Sequence, residues 1–157
     1  MKKIESFKIN HDLLHPGLYV SRTDDNIVTY DIRTRYPNSG EYMSNAVMHS
    51  IEHLFATYVR NSLHADKIIY FGPMGCRTGF YFLVKDSLQS KDVISLVVET
   101  FRFILSFNGD IPGANKKECG NYLEHDLIAA KEEAQYMLGI LAEWDVSKLK
   151  YISKQEN

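Results

Sequence analysis

Cysteine, tryptophan and proline are scarce in this chain, with 2, 1 and 4 of them among 157 residues. The two cysteines, Cys76 and Cys119, are far apart in sequence, which excludes a CxxC redox or zinc pair, and a cytosolic chain keeps both as thiols. No run approaches the length of about 18 apolar residues needed to cross a bilayer. The opening MKKIESFKIN has two lysines and no apolar run behind them, so no secretory signal and a cytoplasmic location are expected. Charge of one sign is lacking too. The 18 basic and 20 acidic residues leave −2, which gives no general attraction to nucleic acid or to an anionic membrane. No repeat, low-complexity tract or Pro/Gly/Ser linker divides the chain, so one domain over 1–157 is expected.

What remains is ordinary for a globular domain: 45% hydrophobic residues, in a chain long enough to need no metal or disulfide simply to fold. The 10 tyrosines and 8 phenylalanines suit an aromatic-rich sheet face or a dimer interface. Weak alternation over 3–9 suggests a strand. Residues 10–17 hold turn formers, with His11, His15 and Pro16 among them. Residues 18–23 and 27–36 read as two strands around an Asp24-Asp25-Asn26 turn. A helix capped by Ser44 or Asn45 follows, with Val47, Ile51, Leu54, Phe55 and Tyr58 on or near one face. Strands are expected over 67–72 and 78–84, with Pro73-Met74-Gly75-Cys76 between them. Phe80-Tyr81-Phe82 reads as strand packing. Helices are expected over 91–107 and about 121–146, the latter interrupted at Gly139. The class is α+β, a mainly antiparallel sheet covered by helices.

The chemistry concentrates in His49-Ser50-Ile51-Glu52-His53, an H-x-x-E-H motif inside the strongest helix. Residues four apart are neighbours on a helix, so His49 and His53 can offer two imidazoles to one metal ion. Glu52 points near the same place and can take up a proton there. Alone, two histidines at this spacing also describe a surface or satisfied core pair. A catalytic metal usually has three protein ligands and an open position. Cys76, Cys119, Glu118, Glu124 and His125 are candidates for the third. Cys119 sits in the polar segment Asn115 to Asn121, an odd place for a core cysteine and a better one for a thiolate ligand. Cys76 sits between glycines in a turn, where a ligand can approach closely. Composition and spacing do not divide ligand and base between the two cysteines. His15, His64 and His125 otherwise read as structural or surface histidines, and Lys148, Lys150 and Lys154 as a solvated face.

Several motifs in order carry a resemblance: Ile4 to Phe7, Asn10-His11, Asp31-Ile32-Arg33 before Pro37-Asn38, His49 to Leu54, Pro73 to Tyr81, and Ile111 to Asn115 leading to Glu118-Cys119-Gly120. Through nearly its whole length the chain resembles the S-ribosylhomocysteine lyases, the autoinducer-2 precursor synthases of quorum sensing. The resemblance implies a four-stranded antiparallel sheet with helices, and a homodimer whose active sites use both chains. It implies metal ligation by His49, His53 and Cys119, acid/base roles for Cys76 and Glu52, and a substrate pocket containing Ser6, His11 and Arg33. The implied cofactor is one divalent metal per subunit, Fe2+ with Zn2+ or Co2+ able to replace it. The implied reaction releases homocysteine and 4,5-dihydroxy-2,3-pentanedione. Thr34, Tyr36 and Tyr70 depart from residues common in the family, and Tyr70 stands where an acid is frequent. The rival readings are an inverzincin-type metalloprotease, which would favour a carboxylate third ligand, and a non-catalytic metal-binding module, which would need neither Glu52 nor Cys76.

Overall fold

The computed structural model describes residues 1–152. Its sheet has four antiparallel strands in the order β1-β2-β4-β3: β1 Gly17–Asp24, β2 Ile27–Arg33, β3 Ile68–Pro73 and β4 Gly79–Lys85. Three helices accompany them: α1 Asn45–Arg60, α2 Ser90–Ser106 and α3 Leu127–Ile140. This is the expected α+β architecture. β1 and β2 turn at Asp25, which takes φ 49°, a left-handed value that aspartate tolerates better than most residues.

Strand periodicity decides which residues meet which layer. On β2, Tyr30 and Ile32 face the helical layer, where they join Leu18, Phe80, Phe82 and Val84. Phe55 of α1 stacks on Phe71 of β3, ring centres 3.9 Å apart, and Phe71 continues to Phe80. Aromatic side chains thus fasten α1, the element bearing H-x-x-E-H, to the sheet. The opposite alternation puts Asp31 and Arg33 on the other face. The chain after α3 covers them: Trp144 Nε1 donates to the Leu18 carbonyl, and Tyr151 stacks on Tyr19.

Two expected elements differ. Residues 3–9 form no strand; Glu5–Phe7 is a short 3-10 turn, and Ile4 and Phe7 stay exposed, so the segment has no buried face to organise a strand. The last helix begins only at Leu127, with the Asp126 side chain accepting from the Ala129 N–H, and ends at Ile140, next to Gly139. Residues 121–126 are held in turns by bonds to α1 described below. β2 stops at Arg33, and both the Thr34 and Arg35 N–H groups donate to the Thr78 carbonyl. The aromatic run packs as expected, with Phe80 and Phe82 buried and Tyr81 on the other face. His15 and Lys148 and Lys150 are exposed, and His64 is partly buried; Lys154 lies outside the described residues.

Candidate metal centre and active site

α1 starts where Ser44 accepts from the Val47 N–H, so Ser44 is the cap. The following turns place His49 and His53 side by side, ring centres 4.6 Å apart and nearly perpendicular. Each ring is fixed through Nδ1. His49 Nδ1 lies 2.8 Å from the Glu124 carbonyl, and His53 Nδ1 lies 2.8 Å from the Pro112 carbonyl. A carbonyl only accepts, so both Nδ1 atoms carry the hydrogen and both Nε2 atoms present a lone pair. That is the arrangement in which imidazole binds a metal, with a protein oxygen orienting the far nitrogen. Gly113 permits it. Its φ is 74°, and a Cβ there would stand 3.2 Å from His53 Nδ1.

Cys119 brings the third donor. Its Sγ lies 3.3 Å from His49 Nε2 and 3.4 Å from the Asn121 N–H, which donates to it. The backbone N–H gives the sulfur a donor of the kind that a metal-bound thiolate accepts. Donor atoms of His49, His53, Cys119 and His125 all lie within 4.8 Å of one another. Ligands at the usual metal–nitrogen distance of about 2.0–2.1 Å and metal–sulfur distance of about 2.3 Å would stand nearly this close. The donor chemistry and spacing of the residues present therefore fit a divalent ion.

His125 is the member that sequence reasoning placed mainly among structural and surface histidines. It was also a candidate third ligand, and the structure places it against the two helix histidines. Its ring lies 4.1 Å from that of His49 and 4.8 Å from that of His53. Its Nδ1 lies 3.2 Å from Ser50 Oγ, which donates to the Ala46 carbonyl and accepts from the Asp126 N–H. A hydroxyl has one hydrogen and two lone pairs, so the remaining lone pair accepts from His125 Nδ1. Nε2 is then unprotonated, buried and without a partner. Burial first, and the neighbouring imidazoles of His49 and His53 next, push His125 below its ordinary value. The signal available in sequence was its place six residues after Cys119, in the stretch folded onto α1.

Glu52 is partly buried beside His53. Both line a cavity of about 430 Å³ that also meets Tyr70, Phe71, Pro112 and Gly113. Cys76 is exposed at the tip of the β3–β4 hairpin, in a turn closed by the Arg77 N–H donating to the Met74 carbonyl. Arg77 has φ 61°, a left-handed conformation that side chains rarely adopt and that clusters at functional turns.

Arg33 is 2% exposed and held from within. Its Nε and Nη2 donate to the two oxygens of Asp31 at 3.1 and 2.6 Å, and Nη1 donates to Thr78 Oγ1 at 2.7 Å. Tyr151 donates to the same carboxylate at 2.8 Å. Burial opposes the guanidinium's charge, but Asp31, by charge and hydrogen bonds, more than offsets it and holds Arg33 above its ordinary value. Burial and then Asp31 push the Tyr151 phenol up.

His11 Nδ1 lies 3.0 Å from the Ile9 carbonyl. Ser6 lines a separate surface pocket with Ser21, Tyr70 and Tyr81. The structure thus draws His49, His53, Cys119 and His125 together and places Glu52 beside them. Among the described residues, no hydrogen bond joins Cys76, Arg33, Ser6 or His11 to that cluster within one chain.

These features define a class: a small α+β protein in which two histidines of a helix meet Cys119 and His125 in a cluster that could hold a metal ion, with an exposed cysteine in a strained hairpin. The model of one family, S-ribosylhomocysteinase (LuxS), matches residues 4–148, and the chain belongs to that family. It is 47% identical to the S-ribosylhomocysteine lyase of Phocaeicola vulgatus over 161 aligned positions, 99% of this chain and 100% of that protein. The S-ribosylhomocysteine lyase of Borreliella afzelii is 50% identical over 96% of this chain and 99% of its own. That of Clostridium beijerinckii is 52% identical over 88% and 90%.

Proposed function

We infer that this chain is an S-ribosylhomocysteine lyase, a single domain that splits S-ribosylhomocysteine into homocysteine and 4,5-dihydroxy-2,3-pentanedione. Within the family to which the chain belongs, one observation carries the reading of its chemistry. His49, His53 and Cys119, from two distant parts of the sequence, converge with their lone pairs oriented by carbonyls and a backbone N–H.

A thioether resists direct hydrolysis. β-Elimination is easier, but it requires a carbonyl two carbons from the carbon bearing sulfur. The open-chain sugar has its carbonyl at C1, so it must move to C2 and then C3. Each move takes a proton from a carbon beside the carbonyl and returns one to the former carbonyl carbon. Removal of the C4 proton then expels the sulfur from C5. In this reading His49, His53 and Cys119 hold one divalent ion, ferrous iron, with His125 beside them. Such an ion supplies Lewis acidity to the sugar oxygens on which negative charge develops.

The protein's own groups move the protons. Cys76 acts as the carbon base, from a turn exposed enough to meet substrate. Glu52 shuttles protons between sugar oxygens and serves the later carbons. Positioned acid/base groups contribute roughly 10²–10⁴-fold. Ser6 and His11 bind substrate in a pocket completed by a second copy of the chain. Two features support this homodimer. Among the described residues no hydrogen bond joins Ser6 or His11 to the metal cluster within one chain, and Ile4, Phe7 and Tyr70 are exposed around Ser6. Arg33, with its paired bonds directed to Asp31, contributes beneath Cys76. Tyr70 meets both the Ser6 pocket and the Glu52 cavity.

The test is homocysteine release from S-ribosylhomocysteine by anaerobically purified, iron-loaded protein, followed with a thiol reagent. Release by the native protein, lost in Cys76→Ala at equal metal content, is the expected result. No release from a metal-loaded dimer would sink the assignment.

A further inference from the structure

Cys76 is bonded to a side chain to which neither its motif nor the mechanism above assigns a role. Thr78 is 3% exposed, and its Oγ1 stands 3.0 Å from Cys76 Sγ. Either atom could donate across that gap, but the bonds around Thr78 select a direction. Arg33 has only donors, and its Nη1 already gives a hydrogen to Thr78 Oγ1 at 2.7 Å. Thr78 keeps its own hydroxyl hydrogen, and among the described residues the Cys76 sulfur is the acceptor its side chain reaches. A sulfur donating instead would strand that hydrogen in a buried place, which is costly.

The same logic runs back through the network. Tyr151 and Arg33 both donate to Asp31, which accepts only, and Arg33 donates to Thr78. The series therefore ends in an O–H aimed at sulfur. Thr78 is also fixed independently of its side chain, because its carbonyl accepts from the Thr34 and Arg35 N–H groups at 2.9 and 3.1 Å. Its hydroxyl is thus presented from rigid backbone, whereas Cys76 is exposed and has little else to orient it.

We propose that Thr78 is a positioning residue for Cys76: its hydroxyl, oriented by Arg33, donates a hydrogen bond to the Cys76 sulfur, favouring the thiolate and holding it in one direction. Hydrogen bonds to charged acceptors are about twice as strong as neutral ones, so the contact strengthens as the sulfur becomes anionic. The proposal rests on the lyase reading for its catalytic consequence. The contact itself can be tested without turnover.

The experiment compares the metal-loaded native protein with Thr78→Val and Thr78→Ser. Val keeps the volume of Thr and removes the hydroxyl; Ser keeps the hydroxyl. The readouts are the rate of Cys76 alkylation by iodoacetamide near neutral pH, followed on the Cys76 peptide by mass spectrometry, and kcat for homocysteine release. Thr78→Val is expected to slow both about tenfold, the size of one hydrogen bond to a charged group. Thr78→Ser should restore most of each. A purely structural role would lower both variants' folded fraction, measured by circular dichroism, without this hydroxyl-specific recovery. Unchanged alkylation in folded Thr78→Val overturns the proposal. So does a loss that Thr78→Ser fails to recover. Slowed alkylation with hydroxyl rescue in a protein that never releases homocysteine would uphold the contact and sink the lyase reading instead.

Discussion

Replacing Arg33 by methionine should be among the most destabilising single changes on the sheet face away from the helical core. Asp31 beneath it is 0% exposed and accepts three hydrogen bonds, two from Arg33 and one from Tyr151. Methionine fills much of the same volume and removes two of the three donors and, among the described residues, the only cation bonded to the carboxylate. A buried ion pair contributes little net stability over an apolar pair, but removing one partner leaves an uncompensated charge and costs about 3–5 kcal/mol. In a chain of this length each kcal/mol corresponds to about 2–4 °C in Tm, so the melting point should fall by roughly 6–20 °C. The assay is urea unfolding followed by circular dichroism, with chelator present and protein concentration fixed, so that metal binding and assembly do not enter. Asp31→Leu combined with Arg33→Met should recover most of the loss, because the isolated charge is gone. A loss below about 1 kcal/mol, or a double variant no better than Arg33→Met, would refute this account of the pair.

Other outcomes follow from the metal centre. Gly113→Ala forces a side chain into a left-handed conformation and against His53 Nδ1; metal affinity, measured by chelator competition, should fall about 10–100-fold, and an unchanged affinity would mean that the Pro112 carbonyl does not orient His53. Cys119→Ala should remove the sulfur-to-metal charge-transfer absorption of the cobalt-loaded protein, whereas Glu124→Ala should keep it; the reverse pattern would favour the protease reading and its carboxylate ligand. His125→Ala should weaken metal binding about tenfold or more in the same competition assay, and equal affinity would return His125 to a packing role.

Much of this was legible in the amino-acid sequence because periodicity and steric demands are local. The α1 stripe and the alternation of Tyr30 and Ile32 against Asp31 and Arg33 are readable as written, and H-x-x-E-H places two imidazoles together on any helix. The polar segment around Cys119 suited a thiolate ligand, but dividing ligand and base between Cys119 and Cys76 required the family resemblance, since the contact with His49 spans 70 residues. His125, one of five candidates for the third ligand, was not singled out for a related reason. Its contacts with His49 and Ser50 arise only when residues 121–126 fold back onto α1, and those same bonds delay the last helix to Leu127. The 3–9 segment misled because its weak alternation has no sheet edge to bury against. Nor could sequence show that Arg33 directs its paired hydrogen bonds to Asp31, two positions away on the same strand face, because the covering Tyr151 comes from the far end of the chain.

The central claim is that this protein breaks the carbon–sulfur bond by elimination after carbonyl migration. The most direct test is proton NMR of the products formed from S-ribosylhomocysteine by the iron-loaded protein in deuterated water. The account predicts homocysteine together with 4,5-dihydroxy-2,3-pentanedione carrying solvent deuterium on carbon, because each migration removes and returns a proton at carbon. Homocysteine accompanied by ribose without carbon-bound deuterium would mean direct hydrolysis and would contradict it.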